Sequence, residues 1–508
     1  MLWDFVFSYT LKIQPPNRIG MRIHLPHPSF LLSLLLLTQC TTTPTTSEDS
    51  SVAASDPNPN IILIVADDLG YGDLGSYGQT QIQTPNLDRM ANEGMRFTQF
   101  YAGSTVCAPS RAVLMTGQNV GHTRVRGNAG NNDEMKQSLR DEDVTLAEVA
   151  QKASYRTALV GKWGIGEIDE PGFPLEQGFD QFFGYLNQTH AHNYYPEFLW
   201  RNRDTVRLDN VVQAVPREYA SFTGGYATQK VAYSPDLLTE EALDFIEENQ
   251  QEPFFLCLTL TVPHANNEAR GKGMEVAGGE TPDYSAYADK DWPEAQKGTA
   301  AMITRMDRDI GRMLDALQEY GIEENTLVLF TSDNGPHREG GNDPDFFDSN
   351  GPLRGIKRDL YEGGIRVPLI AYWPSHVPAG TTSDHISYFG DMMATFAELM
   401  DVTPPEDIQS ISLVPTLLGL SDDQRPHNYL YWEFYEQGSR QAVRMGNWKA
   451  VRQPMFTGPI ELYNLENDIG EENNVAAENP EEVAEMQRIM EQAHQPSPLW
   501  VVEQEPSD

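Results

Sequence analysis

The chain is short of cysteine, of positive charge and of long apolar runs. Only three cysteines occur in 508 residues, Cys40, Cys107 and Cys257. Three thiols cannot all pair, so a disulfide framework is excluded and each needs its own explanation. Lysine and arginine total 36 against 74 acidic residues, a net charge of −38. Nucleic acid is excluded as a partner by that balance, because a phosphate backbone requires net positive surface. An anionic substrate would have to be met by cations gathered locally against the global field. The apolar stretch Phe30–Leu37 is too short to span a bilayer as a helix.

What is present is a folded enzyme-sized chain. Hydrophobic residues at 39% and aromatics at 10% suit a globular protein with a large domain and a smaller one. Arg18 and Arg22 precede the apolar run that ends at Gln39-Cys40, with a natural start at Met21. A basic segment followed by a short apolar one reads as an export signal. Its Leu-Thr-Gln-Cys ending resembles a bacterial lipoprotein signal with Cys40 lipidated. Gln39 departs from the small residue usual there, so plain secretion stays open. The expected organisation is therefore 1–40 as an over-extended start and signal and 41–58 as a Thr/Ser/Pro-rich tether. Residues 59–403 form the main domain and 404–508 a small C-terminal α+β subdomain. The expected location is the periplasm or outer-membrane surface of a bacterium, with the membrane touched only through a lipid anchor.

Four apolar runs each end on polar residues. Asn60–Ala66 delivers Asp67 and Asp68, Arg156–Gly161 delivers Lys162, Phe254–Thr261 leads to His264, and Thr326–Thr331 leads to Asp333 and Asn334. Continuous apolar runs fit strands buried on both faces. Helical patterns at Leu87–Glu93 (capped by Asn86), Thr145–Ala153, Leu237–Asn249 and Ala300–Tyr320 separate them. The fold class is α/β: a mixed, mostly parallel central sheet flanked by helices. Short alternating runs at 429–434, 441–445, 448–452 and 460–463 predict a small antiparallel sheet, with a closing helix over Glu481–His494. Ligands of such α/β sheets bind outside the carboxyl ends of the strands, where the polar residues fall.

Cys107 stands before Pro109, a residue suited to the first turn of a helix, and Arg111 follows one turn later. The spacing predicts a guanidinium leaning back over the sulfur, with the helix start adding to an anion site. Cys257, inside an apolar run, reads as a core thiol. Asp67, Asp68, Asp333 and Asn334 are hard oxygen ligands without a Cys/His zinc pattern, which suits Ca²⁺ or Mg²⁺ and not zinc. Singly, an aspartate closing a strand also serves as a turn former.

In chain order the sequence carries Asp67-Asp68-Leu-Gly-Tyr-Gly, Cys107-Ala-Pro-Ser-Arg111, Gly161-Lys162-Trp163 and Pro263-His264. Ser332-Asp333-Asn334-Gly335, Leu353-Arg-Gly-Ile-Lys357 and Glu362-Gly-Gly-Ile-Arg-Val-Pro368 follow. As an ordered set these motifs resemble the type I sulfatases of the alkaline phosphatase superfamily, bacterial carbohydrate sulfatases among them. The resemblance implies that a separate maturation enzyme oxidises Cys107 to formylglycine. The hydrated aldehyde then attacks sulfur with one hydroxyl and expels sulfate with the help of the other. It further implies Ca²⁺ held by Asp67, Asp68, Asp333, Asn334 and the modified Cys107. Arg111 would hold the formylglycine hydroxyl, Lys162 and Lys357 would neutralise sulfate oxygens, and His264, protonated beside sulfate, would donate to the leaving alcohol.

Members of that family commonly read Gly-Lys-Trp-His, with the histidine assisting sulfate release; here the position is Gly164. Either activation by the aspartate-held metal suffices for that step, or another histidine, His122, His190 or His192, takes its place. The aromatic segment Phe179–Trp200, with His190 and His192, is either a sugar subsite or a partly buried loop. Arg124, Arg126 and Asn128 are expected near the pocket mouth, with Asn128, His190 and His192 as substrate-binding candidates. The expected activity is release of inorganic sulfate from a sulfated oligo- or polysaccharide. A phosphodiesterase or phosphonate monoester hydrolase of the same superfamily, and a non-catalytic glycan-binding surface lipoprotein, are the alternatives.

Overall fold

The computed structural model describes residues 58–128, 136–215, 224–269, 273–276 and 283–502, all within one compact unit. Cys40, the export signal and the tether lie outside the described residues.

Five parallel strands make the middle of a ten-stranded sheet: Thr326–Ser332, Asn60–Asp67, Phe254–Pro263, Arg156–Lys162 and Gln181–Tyr185, in that spatial order. Antiparallel pairing begins at the flanks, with Leu369–Tyr372 on one side and Phe198–Arg201 on the other. The central strand is buried along its whole length, and its side chains divide by parity. Ile61, Leu63 and Val65 join a core with the helices Cys107–Thr116, Leu146–Lys152 and Asp391–Leu399. Ile62, Ile64 and Ala66 join a second core with Pro85–Glu93, Ser234–Asn249 and Glu294–Tyr320. A period of two with both faces apolar is what a strand sandwiched between helix layers requires. Each buried isoleucine, leucine or valine among them contributes about 1.5–3 kcal/mol of burial.

Local signals explain most helix boundaries. Thr145 and Glu148 form a reciprocal capping box at Leu146–Lys152. Gly117 and Gly321, at φ of 71° and 69°, close Cys107–Thr116 and Glu294–Tyr320. One boundary differs from the sequence reading: the helix begins at Pro85, not after Asn86. The cap comes from another helix, since the Asp307 carboxylate accepts the N–H groups of Asn86 (3.0 Å) and Leu87 (2.8 Å).

The C-terminal strands Leu430–Phe434, Arg440–Met445, Trp448–Arg452 and Ile460–Asn464 form an antiparallel meander. Trp432 and Ala442 on one face join the first core, while Tyr431 and Val443 on the other pack on the helix Pro480–Ala493. Among the described residues no helix is long and apolar enough to cross a membrane.

Candidate active site

The carboxyl ends of the parallel strands converge on one buried cluster. Asp67 closes its strand, and Asp68 follows at φ 65°, a left-handed conformation that short polar side chains tolerate. Asp333 follows Thr326–Ser332, and the two strand ends are tied together. The Asp333 N–H donates to the Ala66 carbonyl (3.0 Å) and the Asp68 N–H to Asp333 Oδ1 (3.1 Å). Side-chain ligand atoms of Asp67, Asp68, Cys107 and Asp333 all lie within 4.8 Å of one another. Asn334 Nδ2 donates to Asp68 Oδ1 (2.6 Å), and Asn334 Oδ1 is buried with no hydrogen-bond partner among the described residues.

Cations surround this cluster. Lys162 Nζ is 2.7 Å from Asp67 Oδ2, and Lys357 Nζ is 2.7 Å from Asp68 Oδ2. The Arg111 guanidinium donates through Nε (3.1 Å) and Nη2 (2.9 Å) to Asp333 Oδ2, and through Nη1 to the Lys162 carbonyl. It is thus held in place by Asp333 and the Lys162 carbonyl. Asp67, Asp68 and Asp333 are balanced by Arg111, Lys162 and Lys357, and a divalent cation among them would leave the site net positive, as an anion requires.

Burial works to raise the Asp67 and Asp68 carboxyls. Lys162 and Arg111 at the first, and Lys357 at the second, outweigh it and hold both below the ordinary carboxylate range. Asp333 goes the other way, pushed up to about 7 by burial and by the charge of Asp67 against the pull of Arg111. Such crowding of carboxylates, with the unpartnered Asn334 Oδ1, fits a hard divalent cation.

Cys107 is the first residue of its helix, and its thiol donates to Asp67 Oδ1 at 3.4 Å. Burial raises the thiol far above its ordinary value, so the unmodified side chain is protonated and a poor nucleophile. The helix start is also less open than its sequence implies, because the Ala108 N–H donates to Asn128 Oδ1 (3.1 Å). Asn128 is itself fixed by the Glu436 carboxylate, which accepts its N–H at 2.9 Å.

His264 Nδ1–H donates to the Ala265 carbonyl (2.7 Å), which leaves Nε2 as the acceptor facing Lys357 Nζ at 3.1 Å. Burial, and then the neighbouring Lys357 cation, press its pKa well below the ordinary histidine value. The imidazole is neutral in the free site, and the protonated state expected of it belongs to the site with sulfate bound. It lies in a stack of three rings, His192 at 4.7 Å on one side and His337 at 5.6 Å on the other.

The remaining candidates fall in different places. His192 joins the site through that stack and pairs with Glu268 (3.2 Å). His190 packs between Tyr185 (4.9 Å) and Phe198 (4.6 Å), beside a separate cavity of about 210 Å³. His122 faces Gln495 of the C-terminal segment. Arg124 donates to the Ser138 carbonyl, and Arg126 is buried against Tyr435 and Glu433. Phe182, Phe183, Tyr185, Tyr194 and Tyr195 are core residues, so most of the aromatic segment is interior packing.

Glu339, His337 and Glu268 were not singled out from the sequence. Glu339 stands 3.8 Å from His264 and is bound by Arg358 (2.7 Å). The repeat of Pro-His at 336–337, directly after Asp333-Asn334-Gly335, is the signal that could have found His337.

A sulfatase family model matches residues 59–402, and one described as N-sulphoglucosamine sulphohydrolase, C-terminal, matches 356–496. The N-acetylgalactosamine-6-sulfatase of Canis lupus familiaris is 35% identical over 416 residues, 78% of this chain and 72% of that protein. The crystal structure of Ps i-CgsB in complex with k-i-k-neocarrahexaose is 29% identical at a TM-score of 0.71, covering 86% of this chain and 94% of that one. A Bacteroides thetaiotaomicron structure from work on the metabolism of multiple glycosaminoglycans is 27% identical at a TM-score of 0.69, covering 86% and 99%. With the ordered motifs gathered at one set of strand ends, these similarities establish that the chain belongs to the sulfatase family of the alkaline phosphatase superfamily and is a sulfuric ester hydrolase.

Proposed function

We propose that the enzyme releases inorganic sulfate from a sulfated galactose-type carbohydrate, using a nucleophile made at Cys107 and a Ca²⁺ ion held by Asp67, Asp68, Asp333 and Asn334. The observation that carries this reading is the convergence of Asp67, Asp68, Cys107 and Asp333 within 4.8 Å. The sugar class is supported by the N-acetylgalactosamine-6-sulfatase relative and by the neocarrahexaose complex of the structural relative.

A bound divalent cation lowers the pKa of a coordinated hydroxyl and draws charge from a sulfate oxygen. Formylglycine made from Cys107 by a maturation enzyme supplies, when hydrated, two hydroxyls on one carbon, one for attack on sulfur and one for the later release of sulfate. The protein's own residues then do the following. Lys162 and Lys357 bind anionic oxygens from two sides. Arg111 fixes Asp333 and the Lys162 carbonyl, so the nucleophile helix and the strand end keep their spacing. His264, protonated at Nε2 once a sulfate anion lies beside it, donates that proton to the departing alcohol oxygen.

The basic-then-apolar segment ending at Cys40 supports export and lipid anchoring, which mass spectrometry of the mature N-terminus tests. The activity itself is tested by co-expression with a formylglycine-generating enzyme and a screen of desalted sulfated oligosaccharides for sulfate release. An aryl phosphodiester is run in parallel. Sulfate release with little phosphodiester turnover is the expected outcome; the reverse preference would overturn the reading.

A further inference from the structure

Gly164 sits at φ 81°, and a Cβ placed on it would lie 2.1 Å from Gln188 Nε2 and 2.8 Å from Gln188 Cδ. A side chain at 164 would therefore require the Gln188 amide to swing out of its present position. Gly164 is two residues beyond Lys162, whose ammonium rests on Asp67 and whose carbonyl accepts from Arg111 and Thr259. Gln188 leaves the carboxyl end of the neighbouring parallel strand, in which Tyr185 pairs in register with Lys162. The Gly164 N–H donates to the Leu186 carbonyl (3.0 Å), which ties the two strand ends together.

The donor end of the Gln188 amide has no structural employment among the described residues. Its Nε2 is buried and finds no acceptor among the described residues. The turn it belongs to is secured by its neighbour instead: Asn187 Oδ1 accepts the Thr189 N–H (2.8 Å), and Asn187 Nδ2 donates to Glu167. A buried donor left unpaired is costly, and a ligand oxygen placed against it recovers that cost. An amide also has no proton to exchange at working pH, so it can orient an oxygen but take no part in proton transfer.

We propose that Gln188 is a substrate-contacting residue of this site, its Nε2–H donating to an oxygen of the sulfuryl group from the space that Gly164 leaves. This rests on the sulfatase reading above. It gives the Gly164 position a binding function carried by a different residue, beyond the carboxyl end of the adjacent strand.

The test uses matured full-length enzyme with an aryl sulfate as substrate and inorganic sulfate as competitive inhibitor. Gln188→Met keeps the volume and removes the donor. Sulfate affinity and kcat/KM are each expected to fall about tenfold, with the pH profile unchanged in shape. Gln188→Glu faces the sulfuryl oxygens with a carboxylate, and a loss of about a hundredfold or more is expected. Gln188→Asn withdraws the amide by one methylene and gives the same reading, weakened sulfate, should the Met variant fail to fold. Variants that fold and keep sulfate affinity and kcat/KM within about twofold of the parent would overturn the proposal, as would a loss accompanied by a shifted pH limb. Absence of aryl sulfate turnover by the parent enzyme would count against the sulfatase reading instead.

Discussion

Lys357 Nζ stands 2.7 Å from Asp68 Oδ2 and 3.1 Å from His264 Nε2, so one ammonium bridges the metal-ligand candidate and the proton-donor candidate. Its charge holds the Asp68 carboxyl down and, after burial, is the next cause keeping His264 neutral. Lys357→Met removes the ammonium at nearly constant volume. A fall of about a hundredfold or more in kcat/KM is expected. The His264 pKa should move back up toward the ordinary histidine value, a shift that NMR of the imidazole ring reads directly. An unmoved histidine would break the link between the two residues.

Divalent cation dependence follows from the crowding at Asp333 and the unpartnered Asn334 Oδ1. Chelation should abolish turnover, and Ca²⁺ should restore it better than Mg²⁺. Because the ion binds the folded site, saturating Ca²⁺ should also stabilise the protein, by about 2.7 kcal/mol at a hundred times Kd. Asp67→Asn should remove most of that thermal shift. Calorimetric melts with and without the ion make the comparison.

How far the sequence foretold the site depends on where each residue sits. Asp67, Lys162 and Asp333 follow apolar runs, and a sheet sandwiched between helices has one edge to which such runs can lead. Residues on loops were harder to read. Glu339, Glu268 and Gln188 reach the site only through the path the chain takes after a strand ends, and nothing in their neighbours' periodicity fixes that path. Tyr194 and Tyr195 looked equally suited to a sugar face and to a core, and only their hydrogen bonds to the carbonyls of Thr261 and Val276 separate the two. The helix at Pro85 illustrates the same point, since its cap, Asp307, is more than two hundred residues away.

Acid sensitivity should arise in part from His190. Burial pushes its pKa from 6.5 down to about 3. The folded protein therefore refuses a proton that the unfolded chain accepts, and stability is full above pH 6.5 and falls as pH drops from 6.5 toward 3. The slope is about 1.4 kcal/mol per pH unit, or about 2 kcal/mol lost by pH 5. His190→Phe should lose less stability on acidification than the parent. Urea midpoints at pH 7 and pH 5 test this, and equal losses in the two proteins would contradict it.

The C-terminal sheet is tied to the main core by buried charge. Lys449 Nζ is 2.9 Å from Glu362 Oε1 and 3.5 Å from Glu471 Oε1, with all three side chains fully enclosed. Glu362 also accepts from the Tyr101 hydroxyl (2.6 Å) and Arg366 (3.2 Å). Lys449→Met leaves two carboxylates without their shared cation, and a loss of about 3–5 kcal/mol is expected. Combining it with Glu362→Gln should cost less than the sum of the single changes. Urea unfolding of the four proteins gives the coupling.

The central claim is that the working nucleophile is made from Cys107 and not from its thiol. Mass spectrometry of the Cys107 peptide, paired with sulfate release by the same preparations, tests it most directly. Across preparations matured to different extents, turnover should rise in proportion to the fraction of aldehyde at position 107 and vanish in Cys107→Ala. Full turnover from protein carrying only the thiol would contradict it.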